Sequence, residues 1–169
     1  MKIIEALKQL KDLERKARDL TDKIGKHCAD MDYEQPIYSD QRTQIQSWLQ
    51  SQRDVVREIC RLKFCIQKTN VNTRVVIVLD GNNVERSITE WIERRRTLAA
   101  LERQAWQALN NRGLKDLRLQ QSAGQIVDAK VRYYYDPVQR DRMVEALSAE
   151  PALINAKLEI INATTDLME

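Results

Sequence analysis

The sequence predicts a mainly helical α+β protein: a long antiparallel helical hairpin or bundle with a small antiparallel sheet, a β-hairpin plus one further strand. Three observations lead there. Apolar residues recur by sevens through most of residues 3–66. Gly and Pro together fill only seven of 169 positions, too few for a loop-rich fold. The β-branched run "RVVIVL", followed by "DGNN", then breaks the helical pattern with a hairpin signature.

The first helix is expected from about Lys2 to Cys28. Ile3, Ala6, Leu10, Leu13, Ala17, Leu20, Ile24 and His27 form its a/d seam, and charged residues cover most of the rest. "ADMDYEQPIYSD" interrupts it, with Pro36 as breaker and Ser39 as the expected N-cap of a second helix. That helix, about Asp40 to Lys68, repeats the pattern with Ile45, Trp48, Gln52, Val55, Ile59, Leu62 and Ile66. Each would be about 40 Å long at 1.5 Å per residue. Two matched seams joined by a short loop predict an antiparallel coiled-coil-like pair.

The hairpin falls at about 74–86, because Asp80, Gly81, Asn82 and Asn83 tolerate positive φ between two strand-like runs. "SITE" follows as a capping box, opening a third helix that runs to about Asn110. Residues 112–125 are polar and read as a loop. A third strand is expected at about 126–135, where Val127, Ala129, Val131, Tyr133 and Tyr135 alternate with polar neighbours. Asp136 and Pro137 start a last helix through Leu147, Ile154, Leu158 and Ile161, with a break or kink at Pro151. A chain of this length reads as a single elongated domain over 1–169.

The formal charge of +3, from 28 basic and 25 acidic residues, is too balanced for a dedicated nucleic-acid binder. Arg86, Arg94, Arg96, Arg103, Arg112, Lys115 and Arg118 are interleaved with acidic residues, so nucleic acid is a second alternative only. Cys28, Cys60 and Cys65 lack CxxC spacing, consistent with reduced thiols in a cytoplasmic protein. The charged N-terminal segment resembles no signal peptide, and no apolar run is long enough to span a membrane.

A lone histidine, no ExxH pair and no phosphate-loop motif leave no expected enzyme, metal or cofactor. The bland reading of His27 is helix capping or exposure. Trp48, Trp91 and Trp106 sit at core-like helical positions. The candidate ligand or intersubunit site is polar. Thr69, Asn70, Thr73 and Arg74 lie in a junction between helix and strand. Arg95 falls within the apolar stripe of Ile88, Trp91, Ile92, Leu98, Ala105 and Leu109, with Arg94 and Arg96 pointing elsewhere. Such groups satisfy loose backbone ends or an internal ion pair; they also suit an anionic ligand.

Taken together, "IQKTNVNTR", "SITEWIERRRTLAALERQ" and "INATTDL" resemble a family of small uncharacterised bacterial proteins, some called septicolysin. Thr69, Asn70, Thr73, Arg74, Arg95, Leu98 and Asn162 carry the resemblance, which spans most of the chain. The chain departs from that family at Arg96, where aspartate is usual, in the loop between the first two helices, and in "RVVIVL". The resemblance implies a helical, oligomeric protein with a small sheet. It secures no activity, and the chain has no alternating membrane-hairpin segment that a cytolysin would need. The expectation is therefore a non-enzymatic homo-oligomer of unknown biological role. A binder of an anionic small molecule such as a nucleotide is the alternative.

Overall fold

The structure, a computed structural model, describes residues 1–110 and 132–168. Its elements are α1 (Ile3–His27), α2 (Gln41–Asn72), β1 (Arg74–Leu79), β2 (Asn82–Ser87), α3 (Ile88–Glu93), α4 (Ala99–Ala108) and α5 (Pro137–Thr164). A π-helical segment, Arg94–Leu98, joins α3 to α4. The class is mainly α with a two-stranded antiparallel hairpin, as the sequence predicts. The third strand expected at 126–135 lies outside the described residues up to 131. Its last four positions, 132–135, form no strand. The polar segment 112–125, with Arg112, Lys115 and Arg118, also lies outside the described residues.

The chain divides into two compact units. The first takes in Met1–Arg74, Ser87–Thr89 and Leu158–Glu169; the second takes in Val75–Arg86 and Glu90–Lys157.

In the first unit α1 packs along α2. Every a/d position of α1 from Ile3 to His27 is buried or half-buried, and so is each of α2 from Ile45 to Ile66. Ala6, Leu62 and Ile66 form a buried cluster at one end of this seam, with Leu10, Leu13 and Leu167 packed against it. Lys63 on α2 reaches Glu14 on α1 at 2.9 Å. Asp40, not Ser39, caps α2: its carboxylate accepts from the Thr43 amide at 3.0 Å and the Thr43 hydroxyl at 2.6 Å. Asp40 is one residue closer to the helix, so its side chain reaches the N3 amide.

The two ends of the described chain are tied to each other within this unit. Lys2 and Asp166 form an antiparallel bridge, flanked by Ile3 N to Thr165 O at 3.1 Å and Leu167 N to Met1 O at 2.8 Å. Lys2 Nζ adds an ion pair to Asp166 at 2.9 Å.

In the second unit, Asp80 and Gly81 make the hairpin turn with φ of 46° and 78°. Two consecutive positive φ values are those of a type I′ turn, whose twist matches the strands. Along β1, Val75, Ile77 and Leu79 face cover while Val76 and Val78 are exposed. Trp91 of α3 is fully buried, and its indole donates to the Val75 carbonyl at 3.0 Å. The Arg86 guanidinium lies 5.3 Å from the same ring, a cation–π contact.

Helix α5 begins as expected, with Asp136 accepting from the Val138 amide at 2.9 Å. It is not broken at Pro151: helix continues on both sides to Thr164. The ring removes one amide donor, yet Leu147, Ile154 and Leu158, buried around it, keep the segment in place.

Candidate functional site

The polar junction is less a loop than the end of α2. Thr69, Asn70, Val71 and Asn72 form the last helical turn, Thr73 is the C-cap, and Arg74 opens β1, exposed. The helix therefore runs four residues beyond the expected Lys68. Thr69 is fully buried, and its hydroxyl is saturated: it donates to Cys65 O and accepts from Met168 N, both at 2.8 Å. Thr73 donates its amide to Thr69 O at 2.9 Å, and its carbonyl accepts from Ile88 N at 3.1 Å. These two threonines close backbone ends, which is the structural role open to them from sequence. Asn70 is half-buried, and its Oδ1 is buried with no hydrogen-bond partner among the described residues.

Arg95 belongs to the second unit, whereas Thr69, Asn70, Thr73 and Arg74 belong to the first. Its Nη1 donates to Asn155 Oδ1, a neutral acceptor. The internal ion pair expected at Arg95 is made by Arg94. Arg94 Nε and Nη2 bind the two oxygens of Glu150 at 2.6 and 2.9 Å, and Nη1 binds Glu102 at 2.6 Å. Glu150 is buried, and the hydrogen bond to it, ahead of the Glu102 contact, holds the Arg94 guanidinium above its ordinary pKa.

The π segment shifts the register of the helix that follows. The Ala99 amide bonds Arg94 O, a five-residue step. One extra residue in the turn rotates all that follows by about 100° relative to an unbroken α-helix. Ala99 is buried and Trp106 half-buried, while Leu98 and Ala105, expected inside, are exposed. Regular periodicity in the sequence cannot register such a slip.

His27 is neither exposed nor a cap. It is half-buried in an aromatic triad, 5.6 Å from Trp48 and 5.9 Å from Tyr38, with those two rings 5.5 Å apart. Its backbone carbonyl accepts from Gln41 Nε2 at 2.8 Å, so the group locks the start of α2 to the end of α1. Among the described residues no cluster of three or more His, Cys, Asp or Glu is placed to hold a metal, and no helix is long and apolar enough to cross a membrane.

Helix α2 also bears a second apolar stripe. Leu49, Val56, Cys60, Phe64 and Val71 recur at helical spacing on a side away from the a/d seam. Leu49 is 44% exposed, Val56 51%, Phe64 63% and Val71 57%, whereas Val55, Leu62 and Ile66 on the seam are buried. Three cations beside the stripe are neutralised within their own unit, Arg57 by Asp54 at 3.4 Å, Arg61 by Glu58 at 2.7 Å, and Lys63 by Glu14, while Arg53 lies on the stripe itself, between Leu49 and Val56.

No family model matches the sequence, and no curated protein matches it significantly. Among solved structures it is similar to one described as a functionally unknown conserved protein from Corynebacterium diphtheriae, with 15% identity, a TM-score of 0.59 and 99% of each chain covered. At that identity the likeness shows the fold alone.

Proposed function

We propose that this is a non-enzymatic, cytoplasmic helical protein that works by associating with copies of itself through the second stripe of α2. The observation that carries this reading is the row Leu49, Val56, Cys60, Phe64 and Val71, left exposed among the described residues while the a/d seam is filled by α1. A helix with two apolar faces needs two neighbours. A second copy suits the free face because a two-fold axis sets the stripe against itself, and the flanking Arg57, Arg61 and Lys63 are already paired. The resemblance noted in the sequence, which implies an oligomer, agrees with it.

Sedimentation velocity on the full chain at micromolar concentration tests the reading. The expected result is a concentration-dependent dimer or larger species that Phe64→Glu converts to monomer. A strict monomer in the unsubstituted protein would remove the idea.

A further inference from the structure

A second feature stands apart from the α2 stripe. The second unit forms a half-open cavity of about 250 Å³, walled by Leu79 and Asp80 of the hairpin, Arg94 and Glu102, and Met143, Ala146, Leu147, Glu150 and Leu153 of α5. That is just below the usual small-molecule range of roughly 300–1,000 Å³, and the wall is mostly aliphatic with a few convergent charges, the composition of a ligand site.

We propose that this cavity binds a small ligand with an aliphatic body and a single cationic head, of the alkylammonium class. The charges decide the sign. Among the described residues Arg94 is the one cation in the wall, and its Nε, Nη1 and Nη2 are all committed to carboxylates. An anion would have to displace Glu150, which is buried and gives both oxygens to that guanidinium. Asp80, at the rim, is balanced by Arg142 at 2.8 Å. The remainder is one carboxylate more than the guanidinium can match.

Glu102 supplies it. This residue is half-exposed and commits Oε2 to Arg94, and among the described residues no group bonds Oε1. A cationic head pairing with Oε1 completes an alternating chain of charges from Glu150 through Arg94 and Glu102 to the ligand. Its hydrocarbon tail then covers Leu79, Met143, Leu147 and Leu153. Burying that aliphatic carbon supplies most of the affinity. The ion pair, at the cavity's edge, sets selectivity more than affinity.

Titration calorimetry of the full chain with hexylammonium, 1-hexanol and hexanoate separates the two contributions. The expected order is hexylammonium a few-fold tighter than hexanol, with hexanoate weakest. Glu102→Gln should bring hexylammonium down to hexanol's level and leave hexanol unchanged. Leu153→Trp, which fills the wall without touching a charge, should abolish binding of both. The proposal is overturned by hexanoate matching hexylammonium, by hexylammonium no tighter than hexanol, by its indifference to Glu102→Gln, by survival of binding in Leu153→Trp, or by no binding at all. Because the cavity lies outside the α2 stripe, a monomeric Phe64→Glu variant should give the same order, so this test and that of self-association fail independently.

Discussion

Arg94 and Arg95 are neighbours in sequence with different electrostatic lives. Arg94 holds a buried carboxylate, and removing it strands Glu150 without its counter-charge. Arg94→Ala is therefore expected to cost about 3 kcal/mol in urea unfolding, the scale for breaking a buried pair. Arg95→Ala removes a hydrogen bond to an uncharged amide and should cost nearer 1 kcal/mol. Equal losses for the two would show that Glu150 finds another partner. The sequence marks Arg95 as the arginine that enters an apolar face and needs a partner; in the structure the buried ion pair is made by Arg94. The sequence names the neighbouring arginine, because the acceptor that selects Arg94 is Glu150, 56 positions away in the sequence.

At the scale of the element, α2 is set at its start by Asp40. The Thr43 hydroxyl, then the Thr43 amide, holds this carboxyl below the usual aspartate range. The folded protein thus binds the Asp40 proton more weakly than the unfolded chain does. Its stabilisation is complete above the ordinary aspartate pKa of about 3.9 and is lost as pH falls through the lower folded value. Asn caps nearly as well as Asp. Asp40→Asn should therefore keep near-native stability at neutral pH and lose less between pH 4 and the acid limit, measured by thermal unfolding across that range. The seam between α1 and α2 contains an uncharged polar side chain, Gln52, whose Nε2 reaches the Thr21 hydroxyl at 3.4 Å while Oε1 is buried without a partner among the described residues. Gln52→Leu should raise stability by about 1 kcal/mol. A loss instead would mean that Gln52 specifies the register of the pair.

For the whole molecule, the heptads made α1, α2 and their pairing legible, and "DG" located the hairpin to within one residue of its ends. What sequence could not supply were contacts closed by distant segments. Thr69 reads as a polar residue in a loop until Met168 is seen to donate to its hydroxyl, 99 positions later. Of the candidate site, the residues were legible as unusual, but not that Arg95 belongs to a different compact unit from Thr69, Asn70, Thr73 and Arg74. At this scale the expectation is quaternary. Phe64→Glu should leave the unfolding midpoint of the monomer nearly unchanged, since the side chain is exposed, while shifting the sedimentation coefficient to the monomer value. A variant that unfolds would instead place Phe64 in the core.

One member of the exposed row is a thiol. Cys60 and Cys28 are accessible and Cys65 is buried, so the protein carries its own chemical reporter and its own reference. Alkylation by iodoacetamide should slow at Cys60 as protein concentration rises, while Cys28 keeps a constant rate. Mild oxidation then reads the direction of the two rods: a head-to-head pair brings Cys60 against its counterpart and yields a covalent dimer through that residue, whereas a head-to-tail pair does so only where the crossing point falls at Cys60.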